Sequence, residues 1–288
     1  MIRLSAFADE ISPDLDEQIA VLKGEGIHHL ELRGVWGLNV LDLSDKQIVE
    51  IKNALGDAGI GVSAIGSPIG KVPIDAPFDE HLHRFERSIS VARALDAPFI
   101  RLFSFYPPTT ALPTSDSDET IDPATWRDEV LHRLREMTAR ARAADITLLH
   151  ENEKDIYGDT IARCVDLMTG VDDAHFGAIL DPANFIQCGQ TPYPDGYEAL
   201  EPWLRYVHVK DASATGVVTA AGEGVGRWPD LLRRLRDDGY DGFLSLEPHL
   251  ALAGREGGFS GADLFRRAAQ ALQGLLRAMD WPWDATGL

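Results

Sequence analysis

Short apolar runs alternate with longer amphipathic runs eight times along this chain, and this alternation restricts its fold more than any other feature. The apolar runs are only a few residues long and rich in aliphatic side chains, as at 146–149, which favours strands. Between them, apolar residues recur three or four positions apart, as at Leu131, Leu134 and Met137, which favours helices. The predicted strands are 3–8, 27–32, 60–65, 98–103, 145–151, 176–181, 205–210 and 243–248, and the predicted helices are 14–25, 44–57, 79–95, 123–144, 159–170, 195–203, 228–238 and 260–278.

The residues at the predicted helix ends agree with these boundaries. Ser44 followed by Gln47 predicts a capping box at the start of the second helix, and Thr160 or Asp159 can cap the fifth. Gly59 directly follows the second helix, where the left-handed backbone conformation favours glycine. The boundaries therefore have local support that is independent of the hydrophobic pattern.

Strict alternation of strands and helices implies parallel strands joined by right-handed crossovers. Eight strand–helix pairs predict an α/β fold with a single (β/α)₈ TIM barrel over residues 1–288, because eight strands close a barrel and such barrels typically have roughly 250 residues. An open, doubly wound sheet is the alternative. It is disfavoured because no G-x-G-x-x-G pattern follows the first predicted strand.

The charge and composition restrict the partners. A formal net charge of −19 disfavours nucleic acid, whose phosphates would be repelled, although a local cation can still attract a small anionic substrate. No apolar stretch approaches the ~18 residues of a membrane span, and the first residues do not form a secretory signal. The two cysteines form neither a disulfide framework nor a thiolate metal site. These features predict a cytoplasmic protein without nucleic-acid or membrane partners.

One polar residue ends each of the last four predicted strands: Glu151, Asp181, His208 and Glu247. The carboxyl ends of barrel strands build a shared site, so we expect these side chains to converge. Three carboxylates and one imidazole suit Mn²⁺ or Mg²⁺, with Co²⁺ or Zn²⁺ as alternatives. Each residue alone could be a helix cap, a turn residue or a core residue, but their recurrence at one depth favours a common site.

Residues two apart on a strand point the same way, so Glu153, Lys210 and His249 share a face with Glu151, His208 and Glu247 respectively. Glu31 and Arg33, at the end of the second strand, share a face with each other. The set predicted to contact substrate in this way is Glu31, Arg33, Glu153, Lys210 and His249. Arg33 or Lys210 could bind a carboxylate or phosphate of the substrate, and the alternative is a salt bridge to nearby acids. Glu223, between two glycines after the seventh strand, is predicted to lie near the metal or the substrate hydroxyls.

Several segments together resemble the xylose isomerase-like TIM-barrel superfamily, from Phe7 through Glu247. They are Glu151-Asn152, Leu180-Asp181 with Phe185, Val207-His208-Val209-Lys210-Asp211, Gly222-Glu223-Gly224 and Leu246-Glu247-Pro248. The pattern is most similar to the sugar phosphate isomerase/epimerase branch, which includes ketose 3-epimerases, hydroxypyruvate isomerase and inosose dehydratase. The resemblance implies one divalent ion, Mn²⁺ first, bound by Glu151, Asp181, His208 and Glu247, with both glutamates also moving protons.

This resemblance implies a metal-dependent isomerase or epimerase of a small keto sugar, phosphorylated or not, acting through an enediolate. A dehydratase or lyase acting on a keto-cyclitol or keto-sugar is the alternative, because it shares the first proton removal, and a non-catalytic sugar-binding barrel is a third. An abasic-site endonuclease is disfavoured. Enzymes of that class have a histidine-rich trinuclear zinc site, whereas in this chain only His208 and His249 are histidines at the depth of the candidate ligands. Ketose 3-epimerases commonly place a histidine three residues after the metal-binding aspartate, where this chain has Asn184, predicted to bind substrate.

Two further segments carry predictions. Residues 106–123 form a long polar stretch after the fourth strand, on the catalytic face of a barrel, which is typical of a lid or a disordered insertion. Trp281-Pro282-Trp283 is too apolar for a free tail and is expected to pack on the barrel or on a second subunit. A homo-oligomer is thus left open.

Overall fold

Eight parallel strands form the centre of the protein in a computed structural model, which describes residues 1–109, 122–254 and 257–284. The strands are β1 (Ile2–Ala6), β2 (His29–Leu32), β3 (Gly61–Ile65), β4 (Phe99–Leu102), β5 (Thr147–Glu151), β6 (Phe176–Leu180), β7 (Leu204–Val209) and β8 (Phe243–Leu246). Each overlaps a strand predicted from the sequence. They are short and almost wholly buried, because a parallel sheet is covered by helices on its outer face.

The sheet order confirms the barrel. From β1 the parallel ladders run to β8, β7, β6, β5, β4, β3 and β2, and β1 and β2 lie against each other to close the circle. The register pairs Ser245 with His208 and Leu180 with Val207, so the carboxyl ends of neighbouring strands reach about the same level. The predicted TIM-barrel fold is therefore confirmed.

The helices surround the sheet and bury one face each. Within the described residues they are α1 (Leu15–Gly24), α2 (Asp45–Ala58), α3 (Phe78–Ala94), α4 (Arg127–Ala143), α5 (Ile161–Val171), α6 (Pro182–Gln187), α7 (Tyr197–Leu200), α8 (Trp228–Asp237) and α9 (Ala262–Ala278). The capping box of Ser44 and Gln47 is present, Thr160 accepts a hydrogen bond from the backbone N–H of Arg163, and Gly59 ends α2 with φ of 68°. The predicted caps are confirmed.

The interior of the barrel contains a chain of hydroxyl groups below the candidate site. The Ser63 hydroxyl lies 2.6 Å from that of Ser5 and 2.8 Å from that of Tyr206, and all three residues are fully buried. Buried hydroxyls need hydrogen-bond partners, and these three groups supply partners to one another inside the barrel. The lower interior is filled by rings, with Tyr206 and Phe243 5.4 Å apart between centroids.

Two helical regions of the structure differ from the prediction. In the region predicted as helix 195–203, only Tyr197–Leu200 is α-helical, and Glu201–Trp203 forms a 3₁₀ turn. Pro202 explains the change, since a proline ring collides with the carbonyl four residues earlier in a continuing α-helix. The sequence analysis also missed α6, which is short and begins at Pro182 directly after Asp181.

Three short antiparallel hairpins follow β2, β7 and β8 and form part of the rim at the carboxyl ends of the strands. They pair Gly34–Val35 with Leu38–Asn39, Asp211–Ala212 with Val218–Thr219, and Leu252–Gly254 with Gly257–Phe259. Hairpins of this kind are absent from the periodic pattern used to predict the fold. They border the mouth where the candidate site residues end.

The chain end packs on the barrel, as one of the two predicted outcomes. Trp281 is buried, and the strand Trp283–Asp284 pairs in parallel with Ile2 and Arg3 of β1. The region 106–123, predicted as a lid or a disordered insertion, lies largely outside the described residues, since these stop at 109 and resume at 122. Among the described residues, no helix has both the length and the apolar composition needed to cross a bilayer.

Candidate metal centre

The four residues predicted as metal ligands all lie at the carboxyl ends of β5 to β8. Glu151 is the last residue of β5 and His208 lies near the end of β7, while Asp181 and Glu247 directly follow β6 and β8. Asp181 also begins α6, because one of its oxygens accepts the backbone N–H of Asn184 at 2.9 Å. Its other oxygen, Oδ2, is thereby turned toward the neighbouring strands.

These side chains converge in a buried cluster. Glu151, Asp181, His208 and Glu247 each offer one ligand atom, and the four atoms lie within 4.8 Å of one another. His208 Nδ1 is 3.2 Å from Glu151 Oε1, 3.5 Å from Glu247 Oε2 and 4.0 Å from Asp181 Oδ2. Each of the four residues is at most 3% exposed. We call this group the acidic cluster.

The acidic cluster fits a small divalent cation. Ligand atoms about 2.1 Å from an ion lie at most about 4 Å from each other, close to the observed spread. Asp181 Oδ2 and His208 Nδ1 are buried, and neither has a hydrogen-bond partner within the described part of the chain. Lys210 Nζ lies 2.8 Å from Asp181 Oδ2, but its direction is not that of a hydrogen bond. A cation would satisfy both atoms, and three oxygens with one imidazole nitrogen suit Mn²⁺ or Mg²⁺.

Burial and mutual repulsion set the charge state of the carboxylates. Burial alone would raise the pKa of Glu151, but the charges of His208 and Arg101 outweigh it and lower that pKa. Burial raises the pKa of Asp181 despite the charge of Lys210. A bound cation would lower the pKa of Asp181, because a nearby positive charge favours the ionised carboxylate.

Lys210, predicted to contact substrate, lies inside the acidic cluster. Its ammonium is 2.8 Å from Asp181 Oδ2 and 2.9 Å from Glu247 Oε2, and the residue is only 4% exposed. Burial opposes the charged form, but the charges of Asp181 and Glu247 outweigh it and raise the pKa of Lys210 well above its usual value. The ammonium thus lies beside two of the candidate carboxylates and offsets part of their negative charge.

Glu31 occupies a different position from the predicted one beside the substrate. It is fully buried beneath His208, with Oε2 3.2 Å from Nε2 of the imidazole, and it accepts the Ser245 hydroxyl at 2.8 Å. This arrangement fixes the ring so that Nδ1 faces the other ligands. Burial opposes protonation of His208, but Glu151 and Glu31 raise its pKa well above the usual value, so a metal ion would displace a proton.

Two arginines lie beside the acidic cluster and stack over one ring. Arg33 Nε is 2.7 Å from Asp9, and its NH1 is 3.2 Å from Glu247. Arg101 NH1 is 3.1 Å from Glu151. The guanidinium carbons lie 4.6 Å and 4.8 Å from the centroid of Phe7. Sequence reasoning named Arg33 and missed Arg101, although alternation with Phe99 along β4 could have placed it inside the barrel.

Two asparagines hold the ligands in place. Asn184 donates to Glu151 Oε1 at 3.1 Å and to the Asn152 carbonyl at 2.9 Å. Asn152 in turn exchanges two 2.9 Å hydrogen bonds with the backbone of Asp181. Asn184 was predicted to contact substrate; in the structure it contacts the candidate ligand Glu151. Asn152 was part of the sequence pattern, but no role was predicted for it.

His249 and Glu153 lie at the edge of the acidic cluster. His249 Nε2 is 3.0 Å from Glu10 Oε1 and 3.4 Å from Glu247 Oε1, and Glu10 was missed by the sequence analysis. Burial opposes protonation of His249, but Glu10 and Glu247 outweigh it and raise its pKa. Glu153 instead pairs with Lys71 at 3.2 Å, on the other side of the mouth.

Glu223 lies away from the acidic cluster, unlike most of the predicted site residues. Its carboxylate is 41% exposed and pairs with Arg267 of α9 at 2.6 Å. The prediction that Glu223 lies near the metal or the substrate hydroxyls therefore needs correction. The flanking glycines have a different partner: the backbone N–H groups of Gly222, Gly224 and Gly226 donate to the Asp211 carboxylate at 2.9–3.0 Å.

Fold and cluster together define an α/β barrel with a buried candidate site for one divalent ion. The chain belongs to the xylose isomerase-like TIM barrel family, whose model matches residues 19–275. No curated protein matches it significantly in sequence.

Solved structures share the fold over nearly the whole chain. The probable 3-DHS dehydratase AsbF of Bacillus anthracis is 17% identical, covers 94% of this chain and 99% of its own, and has a TM-score of 0.73. A xylose isomerase-like TIM barrel protein from Mycobacterium smegmatis, in complex with magnesium, is 21% identical with 96% and 97% covered and a TM-score of 0.70. D-Psicose 3-epimerase with D-tagatose, from Clostridium cellulolyticum H10, is 18% identical with 96% and 99% covered and a TM-score of 0.71.

Lys210→Met should destabilise the metal-free protein by about 3 kcal/mol, because it leaves buried carboxylates without their cation. Added Mn²⁺ should recover most of this loss if the same carboxylates bind the ion. Urea unfolding with EDTA and with Mn²⁺ measures both effects. Lys52→Met is the control, since its pair with Asp96 is exposed and worth no more than about 1 kcal/mol. Equal losses in both variants would contradict the charge balance described for Lys210.

Asp211→Asn should loosen the loop after β7, because an amide has one acceptor oxygen where the carboxylate serves three glycine N–H groups. We expect a loss of about 1–3 kcal/mol in the free energy of unfolding and faster backbone hydrogen exchange at 222–226. The exposed Asp263→Asn provides the control. Unchanged exchange in Asp211→Asn would show that the carboxylate does not hold the loop.

Proposed function

We propose that the protein is a divalent-metal-dependent isomerase or epimerase of a small keto sugar. The observation that carries this proposal is the acidic cluster, in which four buried ligand atoms lie within 4.8 Å at the carboxyl ends of β5 to β8. Active sites of barrel enzymes lie at this end of the strands. The epimerase and the dehydratase among the similar structures are consistent with it, although the similarity to them shows only the shared fold. We also retain the prediction of a cytoplasmic location.

Glu151, Asp181, His208 and Glu247 would hold the ion, with Mn²⁺ as the first expectation and Mg²⁺, Co²⁺ or Zn²⁺ as alternatives. When bound, the ion would supply Lewis acidity to a ketone and its adjacent hydroxyl. Glu31 would act as a positioning residue, because it orients His208 from below. Asn152 would do the same for Asp181.

The proton transfer falls to the two glutamates. Glu151 and Glu247 come from strands on opposite sides of the acidic cluster, and the charges around them lower both pKa values, so both are ionised at neutral pH. One carboxylate would remove the proton on the carbon beside the ketone, giving an enediolate. Return of a proton to the opposite face gives an epimer, and return to the neighbouring carbon gives an isomer. Arg101 and Arg33 would orient the two carboxylates.

A dehydratase is the second candidate, and one observation favours it. Loss of a hydroxyl from the carbon next to the enediolate needs a proton donor, and Lys210 and His249 both lie within 3.4 Å of Glu247. Nearby carboxylates raise the pKa of both, and Lys210 is thereby kept protonated at neutral pH. NMR separates the alternatives. An epimerase or isomerase incorporates solvent deuterium into a sugar that keeps all its carbon and oxygen atoms, whereas a dehydratase loses water and releases an unsaturated product.

The metal assignment predicts that the purified protein binds about one divalent ion. Asp181→Ala and His208→Ala should each weaken Mn²⁺ binding strongly, because each removes one of four protein ligands. Asp181→Asn tests the ligand role separately from the helix cap, since asparagine is also a good N-cap. Isothermal titration and metal analysis measure binding, and circular dichroism checks the fold. The exposed His83→Ala should bind normally. Undiminished binding in both alanine variants would reject the acidic cluster as the metal site.

The proton-transfer assignment predicts that Glu151→Gln and Glu247→Gln each lose turnover by at least about 10²-fold, the usual effect of a lost general base. Glutamine keeps the size of the side chain and one ligand oxygen, so some metal binding should remain. Solvent-deuterium exchange distinguishes the roles: the variant without the initiating base loses exchange, and the other still exchanges one face. If both variants turn over a confirmed substrate normally, the base is to be sought at Glu153, His249 or Lys210.

A further inference from the structure

A cavity lies beside the acidic cluster and is lined by the loops that follow β2 and β3, by Arg84 of α3 and by Arg101 of β4. Its volume is about 200 Å³, and its charged and amide lining consists of Arg33, Asn39, Asp42, Lys71, Arg84 and Arg101. We call it the basic cavity. Four cations and one carboxylate line it, in a chain whose net charge is −19, so this position differs from the rest of the molecule.

The acids that pair with these cations are placed unevenly around the basic cavity. Asp42 pairs with Arg84 at 2.8 Å and is itself part of the lining. The partners of the other three cations, among them Glu153 for Lys71 at 3.2 Å and Glu151 for Arg101 at 3.1 Å, are not. The cavity therefore presents positive groups whose counter-charges lie behind them.

Arg101 is a fixed cation in the wall of the basic cavity. The residue is 4% exposed, and its Nε is buried without a hydrogen-bond partner among the described residues. Its NH2 donates to the carbonyls of Gly66 and Ser67, which fixes the plane of the guanidinium. The guanidinium is therefore held in place before any ligand arrives, and an oxyanion in the basic cavity would meet a fixed positive group.

The basic cavity is joined to the acidic cluster by two guanidinium groups. Arg33 contacts Glu247 at 3.2 Å and Arg101 contacts Glu151 at 3.1 Å, while both residues also line the cavity. A sugar whose ketone lies at the acidic cluster would thus extend another of its groups toward the cavity. A fixed guanidinium and an ammonium, here Lys71 above the Phe103 ring at 4.4 Å, are the groups that bind carboxylate and phosphate.

We propose that the substrate carries an anionic group, a carboxylate or a phosphate, which binds in the basic cavity through Arg33, Lys71 and Arg101 while its ketone lies at the acidic cluster. This inference rests on the proposed function for the position of the ketone. The binding of an oxyanion to the basic cavity does not depend on catalysis and can be measured by itself.

Inorganic phosphate and acetate serve as the first probes, titrated into the full chain with EDTA and again with Mg²⁺. We expect one of them, or both, to bind in the millimolar range, and Lys71→Gln to weaken binding by at least about tenfold, the value of a charge-assisted contact. Lys71→Arg keeps the charge and should restore binding. Glu153→Gln removes the acid that neutralises Lys71, so it should strengthen binding. Lys52→Gln, a surface change of equal charge, should have no effect.

Each result decides the proposal. Preference for phosphate identifies a phosphorylated substrate, and preference for acetate identifies an acid. Binding that is absent for both probes, or equal in the wild type, Lys71→Gln and Glu153→Gln, would overturn the anion site.

A second experiment separates this inference from the proposed function. Deuterium exchange is compared for fructose, fructose 6-phosphate and a keto-sugar acid, each with Mn²⁺, in the wild type and in Lys71→Gln. We expect the anionic sugars to exchange at least about tenfold faster than fructose, with that advantage lost in Lys71→Gln. Equal exchange of all three sugars would overturn the anion site and leave the proposed function standing. Anion binding that depends on Lys71, without exchange of any sugar, would retain the anion site and reject the sugar isomerase.

Discussion

The mutual repulsion of buried carboxylates is the constraint on which the rest of this site depends. Glu151, Asp181 and Glu247 meet with Glu31 close by, and all are nearly inaccessible to water. Taking such groups out of water costs several kcal/mol each unless opposite charges accompany them. The structure supplies those charges from every side: Lys210 within the cluster, the protonated imidazole of His208, and the guanidinium groups beside it. Without them these strand ends could not come so close.

The same balance explains why so many neighbouring residues act by position. The two guanidinium groups and the imidazole each contact a carboxylate of the acidic cluster and are held in place by a second contact. Arg101 is held by backbone carbonyls, Arg33 by Asp9, and His208 by Glu31. A cation arriving at the acidic cluster would therefore meet oxygens whose orientations are already set. Preorganisation of this kind reduces the reorganisation that binding and catalysis require.

The sequence was sufficient for the barrel and for the four candidate ligands, because a parallel barrel brings all its strand ends to one face and a polar residue at such an end is visible in an apolar run. The sequence was insufficient where the position of a residue depends on the direction in which a loop or turn points its side chain. Glu10 lies in a short 3₁₀ turn outside any periodic pattern, and Lys71 reaches the mouth from a loop. Glu223 was misplaced because flanking glycines predict a turn but not the side to which it points; here Asp211 captures the glycine backbone and leaves Glu223 at the surface. Arg101 was within reach of the alternation rule and was overlooked.

The closure of the barrel between β1 and β2 has a mechanical consequence. Among the described residues these strands lie in contact without a backbone ladder, and the short strand Trp283–Asp284 occupies the lower part of the free edge of β1. The candidate ligands all belong to the arc from β5 to β8, where ladders are continuous. Arg33, by contrast, follows β2 at the seam. The arc that carries the candidate ligands thus has a backbone ladder between each pair of neighbouring strands. Across the seam, the loops that follow β1 and β2 are joined by the backbone hydrogen bond from the Trp36 N–H to the Pro13 carbonyl. Substitutions along the seam should therefore disturb the backbone ladders less than substitutions in the arc that carries the candidate ligands.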